Sequence, residues 1–427
     1  MKTRLTLLLL IALPVSLSAQ RLQGRFVTSA YAWETQSTAE TAVSHLYGYQ
    51  TLQLSYATED LQLNTYLQGF NDFSGPYKND FQLRLYNLFL KWRNIGGIGE
   101  INLGRQYIAA GAGNGVIDGA LGSVRLWDSK VRLVGFWGIL APLGMKAEIR
   151  EDGKDNSLLG GQIILEPVPE AQVSIGYAQK LMKAPSYTAI RPDSLFNPYP
   201  VEINPSAEEE QYLSGELRVD SPNMLSGYFR YDFDVNTEQT ARFHLFARGR
   251  VVENLWLTGE YLERQPRISF NSFFSVFAYN EIRDYELGLE YALASDWRFF
   301  GKYGAVSYGD EDQWRVTLGG SWKYFSASVS TNTGDDSKIS ALSLNAGYPL
   351  WNRMLTPTLA VSYASYKLSQ YDELDNALSI APGVVYRPVN WLSLDTQVQW
   401  LQNTIYKNDL RIMVRASYFF SERLDIF

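Results

Sequence analysis

Thr240-Ala241-Arg242-Phe243-His244-Leu245-Phe246-Ala247-Arg248-Gly249-Arg250 decides the fold. Apolar or small residues hold every odd position, and Thr, Arg, His, Phe, Arg and Arg hold the even ones. A repeat of two is the side-chain period of a β-strand, and so strict a division of charge from hydrocarbon means that the two faces meet different solvents. The same period recurs in Leu61–Gln68, with mainly apolar odd and polar even positions. It recurs again where Trp314, Val316, Leu318, Gly320 and Trp322 alternate with Arg315, Thr317, Gly319, Ser321 and Lys323. Near the end, Leu410, Ile412, Val414, Ala416, Tyr418 and Phe420 alternate with Arg411, Met413, Arg415, Ser417 and Phe419.

Alternation alone fits a soluble sandwich as well, with its aromatics as ordinary core residues. Segment length separates the two readings: these segments run about ten to fourteen residues, the length of a tilted strand crossing a bilayer, against about five or six in globular sheets. The connectors also alternate. Tight turns such as Ala57–Asp60, Glu166–Pro169, Asp220–Asn223, Ala294–Asp296 and Arg387–Asn390 separate the longer polar excursions Thr35–Ser44, Leu140–Asp155, Met182–Glu209, Pro266–Ile282 and Leu368–Ala377. Short turns on one side and long loops on the other are the outer-membrane arrangement. The reading is an all-β chain forming one antiparallel up-and-down transmembrane barrel of about 22 strands, in a range of 18–22, with no plug domain ahead of the first strand. Aromatics near strand ends, at Phe70, Phe73, Trp297, Phe299, Trp322, Tyr324 and Tyr418–Phe420, read as interfacial girdles.

The N-terminus supplies the address. Lys2 and Arg4 precede the apolar run Leu7–Leu13, then Pro14 and Ser16-Leu17-Ser18-Ala19, the pattern of a secretory signal peptide over 1–19. Residues 20–427 then form the barrel, and the expected location is the bacterial outer membrane. No later run of eighteen apolar residues offers a helical span. Cysteine is absent, so there is neither a disulfide framework nor a thiolate metal site. The formal charge of −7 becomes −9 when the two positive charges of the leader go, which argues against a nucleic-acid partner.

The strand face assigned to the lumen carries Arg84, Lys130, Arg132, Arg218, Arg230, Arg242, Arg248, Arg298, Lys302, Arg315, Lys323, Arg411 and Arg415. Against them stand Glu216, Asp232, Asp234, Glu260, Glu286, Glu290 and Asp395. A net basic interior would favour anionic solutes through the field in a narrow aqueous passage. The plainer reading is that these charges pair across strands and hydrate the wall. Only His45 and His244 are present, and neither sits in a nucleophile or metal motif, so no enzyme, metal site or cofactor is expected. The acidic clusters Glu208–Glu210, Asp310–Asp312 and Asp335-Asp336 read as solvated outer-loop charge, with divalent-ion bridging to lipopolysaccharide as the alternative.

Between residues 103 and 128 the chain reads LGRQYIAAGAGNGVIDGALGSVRLWD. A Gly-Arg-Gln ending one strand, a Gly-rich loop and an Asp-Gly opening the next resemble a hairpin of porin-type barrels, including the alginate-export family. The resemblance implies an 18-stranded barrel with an arginine-rich conduit for acidic polysaccharide, and Arg105, Asp118 and Arg125 as wall residues of a constriction. The larger strand count departs from that pattern, so the substrate does not carry over. Gly111, Gly113 and Gly115 lack the Lys-Ser/Thr and helix of a phosphate loop, and read as a flexible tip or an inward fold narrowing the pore. The expected pore-lining set is Arg84, Arg105, Asp118, Arg125, Arg132, Arg230, Arg242, Arg248, Arg315, Arg411 and Arg415. The last strand, Leu410–Phe420, resembles the signal read by the barrel-assembly machinery, with seven further residues to Phe427. The function expected from the sequence is a porin-like channel for small hydrophilic, including anionic, solutes. The alternative is a barrel sheathing a partner such as a multihaem cytochrome or a secretion component.

Overall fold

The computed structural model describes residues 20–37, 42–74, 81–221, 224–266, 280–293, 296–309, 311–334, 338–367, 369 and 371–424. The signal segment 1–19, most of Pro266–Ile282, Asp310, Asp335, Asp336 and Phe427 lie outside them.

Twenty-two antiparallel strands form one sheet, and the first, β1 (Gln20–Ser37), pairs with the last, β24 (Tyr406–Leu424), from Gln20↔Leu424 to Ser37↔Tyr406. The sheet is therefore closed and has no edge, the condition that hydrocarbon imposes on a spanning β structure. The count lies at the top of the expected range and departs from the 18 that the family resemblance implied. The final strand is longer than the expected Leu410–Phe420, because Ser421–Leu424 continue the seam against Gln20–Gln23.

From β1 the chain runs through β2 (Ala42–Ala57), β3 (Leu61–Asp72), β4 (Gln82–Ile95), β5 (Gly99–Ala110), β6 (Gly113–Leu126), β7 (Val131–Leu140), β8 (Ser157–Val168) and β9 (Ala171–Lys183). The excursion between β9 and β12 is no plain loop: β10 (Tyr187–Pro192) and β11 (Pro198–Ile203) form their own two-stranded arm. The barrel then continues with β12 (Ala207–Ser221), β13 (Leu225–Asp234), β14 (Gln239–Val252), β15 (Leu255–Arg264), β16 (Ile282–Leu293) and β17 (Trp297–Tyr308). It closes through β18 (Glu311–Trp322), β19 (Phe325–Gly334), β20 (Lys338–Gly347), β21 (Leu355–Lys367), β22 (Asp375–Val389) and β23 (Leu392–Gln402).

Register converts the period of two into an outside and an inside. Leu257 lies opposite Leu289, Leu287 opposite Tyr303, and Leu318 opposite Val329, which in turn faces Leu342. These rows are not buried: Leu287 is 64% and Ile175 66% exposed. Only eleven apolar residues are buried among the described residues. An apolar belt of this size would be unstable in water, since hiding one Leu or Ile is worth about 1.5–3 kcal/mol, and lipid is the solvent that removes the cost. Charged and polar residues of even and odd parity meet on the other face, as in Arg248↔Thr258 and Glu260↔Glu286. Twenty-two strands enclose a lumen about 40 Å across at the backbone, too wide for the wall's own side chains to fill.

Candidate permeation pathway

Among the described residues one element enters that lumen, and its departure from the wall begins at a glycine. Gly104, at φ +122°, sits where a Cβ would collide with the carbonyl oxygen of Leu88. Beyond Arg105 β5 leaves β4, the ladder between them running only from Leu88↔Arg105 back to Ile95↔Gly99. On the other side β6 pairs with β7 only from Ile117↔Leu140 onward. The four pairs from Tyr107↔Val116 to Ala110↔Gly113 therefore belong to β5 and β6 alone. This hairpin tip, roughly 14 Å long at strand rise, folds inward.

Its landing place is built from small residues. Gly111, at φ +55°, turns so close to the inner wall that a Cβ would meet Ser214 Oγ at 2.5 Å and Gly176 Cα at 3.6 Å. The backbone amide of Ala112 donates to Ser214 Oγ at 3.2 Å, and Arg230 Nη2 donates to the Gly111 carbonyl at 3.2 Å. Arg230 is fixed by Asp232 at 2.9 Å and Glu216 at 3.1 Å. Ile108, Ala110 and Ile117 pack with Phe136, Leu140, Leu158 and Ala178 on β7–β9, the one apolar cluster inside the barrel among the described residues. The inward fold was one of the two sequence readings of the glycines. The segmentation is corrected, because Gly104-Arg105-Gln106 and Asp118-Gly119 lie inside β5 and β6 and the turn is Gly111-Ala112.

The inward bend uncovers the upper half of β4, and the segment after β7 fills the gap, with Lys146 forming an isolated antiparallel bridge to Arg84. Arg105 fastens it. Its Nε and Nη2 donate to the two carboxylate oxygens of Asp118 at 2.8 and 2.6 Å. Nη1 donates to the carbonyls of Leu85 and Lys146, and Nη2 also to that of Glu148 at 2.7 Å. The Arg105 side chain is 2% exposed and that of Asp118 11%. The expectation of an arginine facing solute at a constriction is thus corrected: this pair lies beneath the constriction and offers a solute no surface.

The other expected residues fall on the inner face and mostly meet acids. Arg248 bonds Glu290 at 2.9 Å and lies 4.7 Å over the Trp256 ring. Arg315 reaches Glu286 at 2.9 Å and Asp284 at 3.3 Å, and Lys302 reaches Glu286 at 2.7 Å. Arg411 pairs with the buried Asp409 at 2.5 Å, and Arg415 with Asp395 at 3.0 Å. Arg242 contacts His244 Nδ1 at 3.0 Å, and His244 Nε2 contacts Glu260 at 2.7 Å. Arg84 lies 4.4 Å over Phe70. At the short-turn end Arg125 faces Arg132 across the register and stands 4.0 Å from Glu100. Asp284, Asp409 and Glu100 were missing from the inward acids read in the sequence, and with them most of the expected basic excess is compensated.

Sequence reasoning also missed an aromatic row on the inner face. Trp33 stacks on His45 at 4.6 Å and on Tyr47 at 5.1 Å, Tyr47 on Tyr49 at 6.3 Å, and Tyr49 on Phe70 at 6.0 Å. Phe70 is therefore luminal and not part of a girdle. The signal was present as aromatics two apart, Tyr31 with Trp33 and Tyr47 with Tyr49, on the parity opposite Phe26, Leu46 and Leu52.

No protein-family model matches the chain, and no curated protein is similar to it. Solved structures are. A mutant of the ferric enterobactin receptor PfeA from Pseudomonas aeruginosa superposes with a TM-score of 0.58 at 11% identity, over 94% of this chain and 81% of that one. The translocation pore of the P pilus usher PapC gives 0.49 at 9% identity, over 93% and 99%. OccAB4 from Acinetobacter baumannii gives 0.44 at 8%, over 96% and 100%. The likeness to the receptor is one of fold, a closed barrel of the bacterial outer membrane.

Proposed function

We propose that this chain is an outer-membrane channel for the passive passage of small hydrophilic solutes, anionic ones included. The observation that carries it is the one-sided constriction. The β5–β6 tip is bonded to β12 and β13 and packed on β7–β9, which leaves the inner faces of β19–β24 and β1–β3 uncovered among the described residues. Rows such as Ser328↔Ser343↔Ser362↔Ser379 make one sector of that wall low in relief and free of charge. A solute passing there needs no moving part. The apolar outer face supports lipid as the surrounding partner, and the alternation of β24 supports handling by the barrel-assembly machinery.

The test is conductance of the refolded barrel in a planar bilayer. A stable open level of the size expected for a half-occluded wide barrel supports the channel. A folded, inserted barrel that passes no current rejects it and leaves the role of a sheath for a partner.

A further inference from the structure

The inner wall is chemically divided, and one sector carries no charge. Between Arg25 and Asp72 the described inward side chains of β1, β2 and β3 include no carboxylate, ammonium or guanidinium. Elsewhere, on β12–β18, the inner face carries ion pairs such as Arg230–Glu216, Arg248–Glu290, Lys302–Glu286 and Arg315–Glu286. The uncharged sector begins toward the loop side with the row Trp33, His45, Tyr47, Tyr49 and Phe70. The rings are parallel to within 25°, with centroids 4.6 to 6.3 Å apart. Rings in full face-to-face register would lie about 3.5 Å apart, so these overlap like tiles, with the end ring, Phe70, covered by Arg84 at 4.4 Å. All are only partly buried.

Below the row, aromatics give way to carboxamides. Tyr66 stacks on Tyr86 at 4.6 Å, Tyr86 donates to Gln68 Oε1 at 3.2 Å, and Gln62 Nε2 donates to Ser55 Oγ at 2.9 Å and Asn64 Oδ1 at 2.8 Å. Gln53, Asn64, Tyr66 and Asn87 line a concavity of about 650 Å³ that they share with Arg21, Arg25 and Trp391. Asn87 Oδ1 is buried there without a partner among the described residues. From His45 to Ser55 along β2 the track is about 34 Å long, close to the thickness of the membrane core.

Partly open ring faces beside fixed amide and hydroxyl groups, with charges only at the margins at Arg84, Asp72 and Arg25, suit one class of solute. A pyranose lays its C–H face on an aromatic ring and pairs its hydroxyls with groups that both donate and accept. A small apolar solute leaves the amides unpaired. We infer that the β1–β4 wall is a binding track for neutral oligosaccharides, a reading that rests on the channel proposed above and specifies its solute.

Isothermal calorimetry of the refolded barrel, in a zwitterionic detergent with no sugar headgroup, tests it with maltohexaose, cellohexaose and xylohexaose. At least one is expected to bind saturably. Trp33→Ala combined with Tyr47→Ala should weaken it about tenfold or more, Tyr66→Ala should weaken it separately, and Ser343→Ala on another sector should leave it unchanged. In the bilayer the same sugar should interrupt the current, with shorter dwell times in the variants. No binding by any of the three, or affinity untouched by the β1–β3 substitutions, overturns the track. Conductance without sugar interruptions sinks the track and spares the channel. Sugar binding by a barrel without conductance does the reverse.

Discussion

Arg105 shows why a residue's number in a motif does not give its job. Five donors meet one carboxylate and three carbonyls, so the guanidinium ties β4, β5, β6 and the segment around Lys146 into one joint. Arg105→Ala leaves the Asp118 carboxylate with no cation in a nearly dry site, a loss of about 3–5 kcal/mol, and should lower the urea midpoint of the refolded barrel. Arg105→Lys is expected to recover little, because one ammonium cannot span both carboxylate oxygens and the carbonyls; full recovery would show that charge alone suffices. A second joint, outside the membrane, is sensitive to pH. Arg150 donates to Asp152 at 2.8 Å, and Asn156 Nδ2 to the same carboxylate at 2.9 Å. The Arg150 hydrogen bond holds the Asp152 carboxyl below its ordinary range. A lowered acid stabilises the fold above its unfolded pKa of about 3.9 and loses that contribution as pH falls through the folded value. Pepsin should therefore leave residues 141–156 intact near pH 4 and nick them only at lower pH. In Asp152→Asn the nicking should already occur at pH 4, and equal resistance of the two proteins would disprove the clip.

The inward hairpin is the element that couples wall to passage. Its hold on the far wall is three-part: a hydroxyl, a guanidinium and an apolar face. Ser214→Ala with Arg230→Ala removes both polar anchors and strands two carboxylates, that of Glu216, which is partly exposed, and that of Asp232, which is buried. The tip should come loose while the strands stay closed, seen as a larger and noisier open conductance together with a lower urea midpoint, because the buried Asp232 carboxylate loses its cation. An unchanged, quiet current would mean that Ile108 and Ile117 hold the tip by packing alone. Strands, parity and the short-turn side were legible in the sequence, because a side chain between two solvents must alternate and the register can slip by nothing less than a full reversal of faces. The hairpin's landing site was not. Ser214, Gly176 and Arg230 lie far from Gly111 in the chain, and nothing in β5 or β6 encodes which strand their tip will reach. The same limit hid the filler segment: Leu140–Asp155 read as a polar loop, whereas Lys146 completes the sheet beside Arg84 because the hairpin has left that place open. The loop Met182–Glu209 also concealed β10 and β11, whose Pro192, Pro198 and Pro200 mask a strand pattern that a proline-free arm would have shown.

At the scale of the whole barrel, selectivity follows from pairing, not from composition. Counting inward basic residues along the sequence gives an excess of cations, since each is read alone and its partner on another strand is invisible. Closure sets Arg248 beside Glu290, Lys302 and Arg315 beside Glu286, and Arg415 beside Asp395. Each pair presents a dipole to the lumen, and over a Debye length of about 10 Å at 0.1 M salt such dipoles leave little net field at the centre of a wide pore. The reversal potential under a salt gradient should accordingly lie near zero for the native channel. Removing the acids exposes the cations they hold: Asp284→Asn, Glu286→Gln and Glu290→Gln together free Arg315, Lys302 and Arg248, a change of three charges on one wall. That variant should turn anion-selective, more so at low salt, with its open conductance otherwise retained. A native channel that is already strongly anion-selective would place the control of permeation on cations outside these pairs, Arg298 and Arg218 first, and would make the paired wall a structural feature of the sheet.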